Sequence, residues 1–447
     1  MNDTISRPKK IAKKVTAGRV RYSILFILLL VSTINYADRA TLSMAGSAMQ
    51  NELGFTPVQL GYLFAAFAWS YAIAQVPSGW LLDKFGSKII YGLSLVLWSV
   101  FTLIQGTVGL VHAAAAFALL FVIRFLLGLV EAPAFPANGR IVTAWFPSAE
   151  RGTATAIFNT AQYFSLAVFS PIMAWIISSY GWEYVFIMMG AIGIVLGCFW
   201  PKLMHSPKTH PRVSKEELEY IEQGGALIDM DNKNSAPPLK VKWFHVKQLL
   251  SNRLLLAAYF SQYANTALTY FFTTWFPIYL VQGRGMPIMK VGFVAVLPAI
   301  CGFLGGVCCG LLSDFLIRRG MSLSISRKTP FILGMTLASS LVLCNFVDSE
   351  WLVIAIMALA FYGKGLAAIG WAVVSDSCPK ELAGLTGGIF NGIGGLAGII
   401  MPITAGYIIA ITGSFNGVLI FVAAHAVLAI IAYAFLMGPI KRIKLKL

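Results

Sequence analysis

Charged residues are scarce in this chain. Only 12% of its 447 residues are charged, whereas 58% are hydrophobic. A typical soluble domain has about 25% charged residues. The composition therefore excludes an ordinary soluble domain and indicates a protein that crosses a membrane several times.

Cysteine pairs and catalytic motifs are also lacking. The six cysteines lie in or at the edges of apolar segments and form no CxxC pair, so neither a disulfide framework nor a zinc site is predicted. The sequence contains no Walker loop, dinucleotide fingerprint or HExxH motif, and its five histidines are scattered. We therefore predict no metal, no cofactor and no enzymatic reaction.

Long apolar runs, by contrast, are abundant. A membrane-spanning helix needs about 20 mostly apolar residues. Twelve such runs lie near 22–48, 58–82, 89–109, 112–140, 152–177, 181–203, 253–281, 287–315, 329–347, 351–378, 382–411 and 415–438. The predicted fold class is an all-α integral membrane protein with twelve transmembrane helices.

The net charge of +16 is compatible with nucleic-acid binding, but the distribution of basic residues favours another explanation. If the N-terminus is cytoplasmic, most of the 34 Lys and Arg residues fall on the cytoplasmic side, and only Arg284 and Lys290 fall on the opposite side. This asymmetry follows the positive-inside rule and predicts a membrane protein with both termini cytoplasmic. The basic segments 7–21 and 441–446 would then lie near anionic lipid, and we predict no nucleic-acid partner.

An internal repeat divides the apolar region into two halves. Gly79-Trp-Leu-Leu-Asp83 recurs as Gly310-Leu-Leu-Ser-Asp314. We therefore predict two six-helix bundles, with a binding site between them that rocking opens alternately to each side. The predicted boundaries are a basic tail at 1–21, an N-terminal bundle at 22–203, a cytoplasmic linker at 204–251, a C-terminal bundle at 252–438 and a second basic tail at 439–447.

The linker has its own sequence signals. It contains Pro237-Pro238, and Ser214-Lys-Glu-Glu217 is typical of a capping box at the start of a short helix.

The first apolar run follows a basic segment and could be mistaken for a signal peptide. It is interrupted by Asp38-Arg39 and is followed by further helices. We therefore expect it to be retained and not cleaved as a signal peptide.

Four charges interrupt the apolar runs of the first half. Asp38 and Arg39 lie in the first run, and Arg124 and Glu131 lie in the fourth. Because a charge inside a membrane helix costs at least about 2.5–3.5 kcal/mol, these residues are expected to be functional. Arg124 and Glu131 are about two turns apart and share a helix face. The arginines suit carboxylate binding, and the acids can exchange protons. The alternative is that each acid only neutralises an arginine in a structural ion pair.

The second half has one cation within its apolar runs, Lys364. The repeat places it beside the position that corresponds to Glu131. If Arg39 binds one carboxylate and Lys364 binds another, the substrate is a dicarboxylate. Lys364 could instead extend toward the membrane surface or form a structural pair with Asp376.

The segment 79–88, Gly-x-Leu-x-Asp-x-x-Gly-Ser-Lys, resembles the loop signature of the major facilitator superfamily. In that family the acid and base latch neighbouring helix ends, which implies this role for Asp83, Lys88 and Asp314. Three further segments, 35–41, 131–136 and 144–147, resemble the anion:cation symporters of the superfamily. The segments 163–165, 271–280 and 363–365 are similar to bacterial D-glucarate and D-galactarate permeases.

This resemblance implies roles for individual residues. Asp38 and Glu131 would couple proton entry to anion uptake, and Arg39 would contact the substrate carboxylate. Arg124 would either bind substrate or tune the acids. Gln162 and Asn391 match substrate-facing positions of the family.

A sugar acid also needs partners for its hydroxyl groups. The candidate neutral donors and acceptors are Tyr36, Tyr71, Asn159, Gln162, Tyr270, Ser375 and Asn391. Trp371 could stack on the sugar, although packing is the more common role of such a residue.

We therefore predict proton-driven symport of an aldarate by alternating access, carried out by a monomer. At least two protons are needed to neutralise a dianion, because each charge that crosses 100 mV costs about 2.3 kcal/mol. The alternatives are transport of a monocarboxylate hexonate such as galactonate, organic-anion exchange without net proton movement, and a receptor with a transporter fold.

Overall fold

The computed structural model describes residues 18–229, 243–379 and 382–443. Within these ranges the regular structure is helical. The Pro237-Pro238 pair, most of the first basic tail and the last residues of the second lie outside the described residues. We number the membrane-length helices from 1 to 12 in chain order.

In the N-terminal half the helices follow the predicted runs. They are helix 1 (Val20–Leu53), helix 2 (Pro57–Phe85), helix 3 (Ser87–Gln105), helix 4 (Ala113–Glu131 and Ala134–Trp145), helix 5 (Arg151–Asn159 and Ala161–Tyr180) and helix 6 (Glu183–Leu203). Helix 4 extends beyond its predicted end at 140, because the break after Glu131 is followed by three more helical turns.

The C-terminal half repeats this arrangement. It contains helix 7 (Arg253–Tyr270, continued through Phe271–Trp275, Phe276–Ile278 and Tyr279–Gly283), helix 8 (Ile288–Val294 and Val296–Arg318), helix 9 (Leu323–Ser339 and Ser340–Phe346), helix 10 (Glu350–Leu366 and Gly370–Ser377), helix 11 (Ala383–Gly395 and Ala397–Thr412) and helix 12 (Asn416–Ile431 and Ala432–Leu436). Helix 9 begins before its predicted start at 329, because the Ser322 hydroxyl caps it by accepting the Ile325 N–H.

In the described ranges, ten helical segments are long and apolar enough to cross a membrane. Helices 2 and 7 complete the set of twelve. Helix 7 contains two π-helical turns, Phe271–Trp275 and Tyr279–Gly283, on either side of Pro277. Such π-turns disturb the regular ladder of helical hydrogen bonds and are frequent at functional sites.

Helices 4 and 10 break at related places. Helix 4 breaks directly after Glu131, at Ala132 and Pro133, and helix 10 breaks after Leu366, less than one turn beyond Lys364. Proline explains the first break, because it lacks the N–H that the helix ladder needs. Each half therefore holds one buried ionisable side chain, Glu131 or Lys364, at or near an interruption of a helix.

Two hydrophobic cores stabilise the molecule. We call the end at which helix 1 begins the proximal end and the opposite end the distal end. The smaller core lies within the N-terminal half and includes Leu28, Tyr91 and Trp145. The larger core fills the C-terminal half but also includes Met49 and Leu63 of the distal N-terminal half. The two halves therefore pack together at the distal end.

Polar contacts join the halves at the same end. The Gln282 side chain donates to Gln50 Oε1 at 2.6 Å, and the hydroxyls of Tyr62 and Tyr407 are 3.4 Å apart. A Cβ placed on Gly61 would lie 2.6 Å from the Pro402 carbonyl oxygen, so helices 2 and 11 approach each other closely there. These contacts close the distal side of the interface.

The first part of the linker is attached to the N-terminal half. The Ser214 hydroxyl accepts the Glu217 N–H at 3.1 Å and caps the helix Lys215–Gln223, as the sequence predicts. The fully buried Glu217 carboxylate accepts the N–H groups of Val20 and Arg21 at the start of helix 1. One side chain thus holds the linker helix against the N-terminus of helix 1.

Candidate functional site

The centre of the site is an ion pair between helices 1 and 4. Nε of Arg39 donates to Oε1 of Glu131 at 2.5 Å, and the terminal nitrogen Nη2 of Arg39 is also 2.5 Å from the same oxygen. The Glu131 side chain is fully buried, whereas 27% of the Arg39 side chain is exposed. The two residues therefore form one unit, with the arginine on the accessible side.

Aromatic rings surround the guanidinium group of Arg39. Its central carbon lies 4.9 Å from the ring centre of Phe67, 5.0 Å from that of Tyr71 and 5.3 Å from that of Tyr36. Tyr270, from helix 7 of the other half, also interacts electrostatically with Arg39. The structure therefore brings together three of the predicted hydroxyl donors around the predicted carboxylate-binding arginine.

Asp38 and Arg124 form a second layer behind this pair. Asp38 is 1% exposed, and its carboxylate faces the indole N–H of Trp98. Arg124 is 3% exposed, and its Nε and Nη1 have no hydrogen-bond partner among the described residues. Both residues interact electrostatically with Glu131 and with each other. The four predicted charges of the N-terminal half thus belong to one buried cluster.

Lys364 is located at the interface between the halves. Its side chain is 6% exposed, and its ammonium lies 5.4 Å from the ring centre of Phe361 and 5.7 Å from that of Tyr163. Phe361 belongs to its own helix 10, but Tyr163 belongs to helix 5 of the other half. Among the described residues, Lys364 forms no ion pair.

The alternative partner for Lys364 is engaged elsewhere. Oδ2 of Asp376 accepts Nε of Arg327 at 2.8 Å, and Nη1 of Arg327 donates to the Ser313 hydroxyl at 3.0 Å. These contacts connect helices 8, 9 and 10 near the proximal end. The structural Lys364–Asp376 pair is therefore not formed, and the interpretation of Lys364 as an interface residue is retained.

Comparison with known proteins identifies the family. A model described as Major Facilitator Superfamily matches residues 28–325. The chain belongs to the Major Facilitator Superfamily. The resemblance drawn from segment 79–88 is thereby confirmed, and the chain is a multi-pass membrane transporter and not an enzyme.

Its relatives cover nearly its full length. It is 56% identical to a Bacillus subtilis (strain 168) protein named "Probable galactarate/D-glucarate transporter", over 98% of this chain and 97% of that protein. It is 39% identical to a D-galactonate transporter of Escherichia coli O6:H1, over 95% of this chain and 97% of that protein. The crystal structure of a D-xylose–proton symporter has the same fold, with a TM-score of 0.70 at 15% identity over 94% of this chain and 98% of that protein.

The superfamily signature segment forms polar contacts at the proximal end, and its role as a latch remains a prediction. Asp83 of helix 2 forms an ion pair with Arg140 of helix 4, and Nε of Arg140 donates to the Ser87 hydroxyl at 3.3 Å. Lys88, predicted as part of the latch, contributes its carbonyl, which accepts the Trp200 indole N–H at 2.8 Å. Asp314, the repeat-related acid, is exposed and has no ion pair among the described residues.

Sequence reasoning missed Arg140 and Arg327, which hold Asp83 and Asp376. Both arginines lie at predicted helix boundaries, where basic residues were attributed to membrane topology. The signal that could have identified them is the acid at the end of the adjacent helix. This signal alone could not have paired them, because the sequence does not show which helix ends become neighbours.

The structure records other contacts or surroundings for four further predicted ligands. Gln162 donates to the Asn159 carbonyl oxygen at 3.4 Å. Asn391 is exposed, and Trp371 is 50% exposed with its ring against Phe390. Ser375 is also exposed, and its carbonyl oxygen accepts Arg442 at 3.4 Å near the proximal end. Their roles as substrate ligands remain predictions.

In the described ranges, no group of three His, Cys, Asp or Glu side chains could hold a metal ion.

Proposed function

We propose that this chain is a proton-coupled symporter that takes up an aldarate dicarboxylate, such as D-glucarate or D-galactarate, by alternating access. The observation that supports this most directly is the Arg39–Glu131 pair, in which a fully buried acid holds the arginine that faces the accessible side. A proton donor site and a carboxylate binding site thus share one hydrogen-bonded contact.

Coupling follows from competition for Arg39. While Glu131 is charged, its carboxylate engages both Nε and Nη2 of the guanidinium. Protonation of Glu131 weakens this contact, because a neutral acid is a poorer partner for a cation than a carboxylate is. The guanidinium can then bind a substrate carboxylate in its bidentate geometry. Substrate and proton are therefore expected to load together.

Asp38 provides a second proton site. Its carboxylate is buried, with the Trp98 indole and Arg124 as its neighbours, and a buried charged carboxylate without a full set of hydrogen bonds is costly. A proton on Asp38 removes the charge. With Glu131, the protein then has two acids, which is the number that a dianion requires for electrically neutral entry.

The second carboxylate would bind Lys364. This ammonium is buried at the interface of the halves, among aromatic rings and without an ion pair in the described part of the chain. An anion placed between Arg39 and Lys364 contacts one cation from each half. Such a substrate can draw the halves together, which is what a rocking mechanism requires.

The known relatives support this substrate class. The Bacillus subtilis relative is named for galactarate and D-glucarate, whereas the more distant relative is named for D-galactonate, which has a single carboxylate. The higher identity to the former favours a dicarboxylate. We further propose that the protein lies in the bacterial cytoplasmic membrane as a monomer, with its proximal end and both termini in the cytoplasm.

Uptake into proteoliposomes tests the proposal. Purified protein should accumulate labelled D-glucarate or D-galactarate when an inward proton gradient is imposed, and a protonophore should abolish the accumulation. Counterflow without any effect of the proton gradient would instead indicate an anion exchanger.

Competition by other sugar acids tests the dicarboxylate assignment. Lys364→Gln should weaken D-glucarate binding by about 10- to 100-fold, since a charge-assisted hydrogen bond is worth about 1.5–3 kcal/mol. The affinity for a hexonate of matched stereochemistry should fall much less, because a hexonate has no second charge. Equal losses of affinity for both substrates would show that Lys364 does not bind the second carboxylate and would favour the monocarboxylate alternative.

A further inference from the structure

The surroundings of Lys364 include a residue from the opposite half that no role above requires. Tyr163 of helix 5 lies against helices 8 and 10, with its ring 6.1 Å from that of Phe361 and 6.3 Å from that of Phe303. A Cβ placed on Gly302 would lie 2.9 Å from Cε1 of Tyr163. The absent side chain at Gly302 therefore leaves the space that admits this ring into the other half.

The ammonium of Lys364 lies near the rings of both Tyr163 and Phe361. Both distances are within the range in which an aromatic ring attracts a cation. An aromatic ring stabilises an ammonium without neutralising it, in contrast to a carboxylate. The charge of Lys364 is thus kept available for an anion although the side chain is almost fully buried.

We propose that Tyr163 is a specificity-determining residue that positions Lys364 for the second carboxylate of a dicarboxylate substrate. This inference rests on the proposed function. Tyr163 acts through its ring, which holds the ammonium at the interface from the N-terminal half. The part of the site that recognises the second carboxylate is therefore composed of both halves: the cation comes from helix 10 and its positioning ring from helix 5.

The test compares substitutions that keep or remove the ring. Tyr163→Leu should weaken D-glucarate binding by roughly 2- to 30-fold, which corresponds to the usual strength of a cation–ring contact. Binding of the matched hexonate should change little. Tyr163→Phe retains the ring and should restore the ratio of the two affinities to the wild-type value.

Phe303→Leu is the matched control. Phe303 contacts Tyr163, so its loss disturbs the same packing without removing a ring that lies against Lys364. It should leave the ratio of dicarboxylate to monocarboxylate affinity unchanged. If Tyr163→Leu weakens the binding of both substrates equally, the ring only packs the interface. If it strengthens D-glucarate binding, the ring competes with the substrate. Either result would overturn the inference.

The double variant separates this inference from the function on which it rests. In the Lys364→Gln background, Tyr163→Leu should have no further effect on the affinity ratio. If Lys364→Gln alone leaves the ratio unchanged, the dicarboxylate assignment fails. If Lys364→Gln changes the ratio but Tyr163→Leu does not, only the positioning role of Tyr163 fails.

Discussion

The two halves of the molecule share a helical plan but hold their buried charges in different ways. In the N-terminal half, Asp38, Arg39, Arg124 and Glu131 form one cluster of acids and bases. In the C-terminal half, Lys364 lies among aromatic rings and forms no ion pair with a described residue. The duplicated scaffold, including the breaks in helices 4 and 10, is thus compatible with two kinds of site.

This difference suggests that the two halves have different functions in transport. In a cluster of opposite charges, a proton that neutralises an acid releases the neighbouring arginine to bind another anion. A lone cation held by rings has no internal partner and is suited to an external anion. We therefore expect variants of the N-terminal cluster to affect coupling and variants around Lys364 to affect selectivity.

The largest effect is expected from the acids. Asp38→Asn and Glu131→Gln should each abolish uphill accumulation driven by a proton gradient, because neither amide can carry a proton across the membrane. Glu131→Gln should retain counterflow, since its neutral side chain resembles the protonated acid. Uptake and counterflow in proteoliposomes distinguish these outcomes.

Glu350→Gln is a suitable control for the acid variants. Glu350 pairs with Lys290, and both side chains are about two-fifths exposed, so its loss should leave accumulation intact. Normal accumulation in both Asp38→Asn and Glu131→Gln would refute the two-proton mechanism.

A smaller loss is expected when Arg39 is replaced with lysine. The charge remains, but an ammonium cannot reproduce the planar two-point contact of a guanidinium. D-glucarate affinity should fall by about 10- to 100-fold. Arg124→Lys should lower D-glucarate affinity less, because the deeply buried Arg124 lies behind the accessible Arg39–Glu131 pair. Equilibrium binding measurements on the two variants provide the check, and equal losses would contradict the two-layer arrangement.

The comparison of the halves also shows which features the sequence could predict. The twelve helices, the repeat and the four N-terminal charges follow from apolar runs, repeated motifs and the cost of charge in a membrane. The sequence could not decide whether Glu131 pairs with Arg39 or with Arg124, since both were possible by spacing. The structure shows that the hydrogen-bonded partner is Arg39, because packing between helices 1 and 4 sets that distance.

Other details depended on tertiary packing as well. Helix 4 continues past its predicted end to Trp145, and the packing of helices 2 and 4 brings Arg140 to Asp83. The engagement of Asp376 by Arg327 joins residues that are far apart in sequence. Single-sequence patterns contain no information about which helix ends become neighbours.

A moderate effect is expected at the distal contact between the halves. Gly61→Ala would place a carbon 2.6 Å from the Pro402 carbonyl oxygen, so helices 2 and 11 must move apart. Overpacking of this kind costs about 1–3 kcal/mol. Gly79→Ala on the same helix is the control, because a Cβ there meets no atom within 4 Å. Thermal unfolding in detergent should show a lower Tm for Gly61→Ala alone; equal Tm values would mean that the close approach is not rigid.

The smallest effect concerns the repeat-related acids at the proximal end. Asp83 pairs with Arg140, but 71% of its side chain is exposed, so the pair is worth only about 0.2–1 kcal/mol. Asp83→Asn should lower the free energy of unfolding by that amount, and the loss should shrink at about 1 M salt, where exposed charges are screened. Asp314→Asn should cause no measurable change, because Asp314 is exposed and forms no ion pair in the described part of the chain. Unfolding of the two variants at low and high salt provides the comparison. An equal, salt-sensitive loss in both would show that the second half has a latch of its own, and the asymmetry between the halves would then be confined to their buried charges.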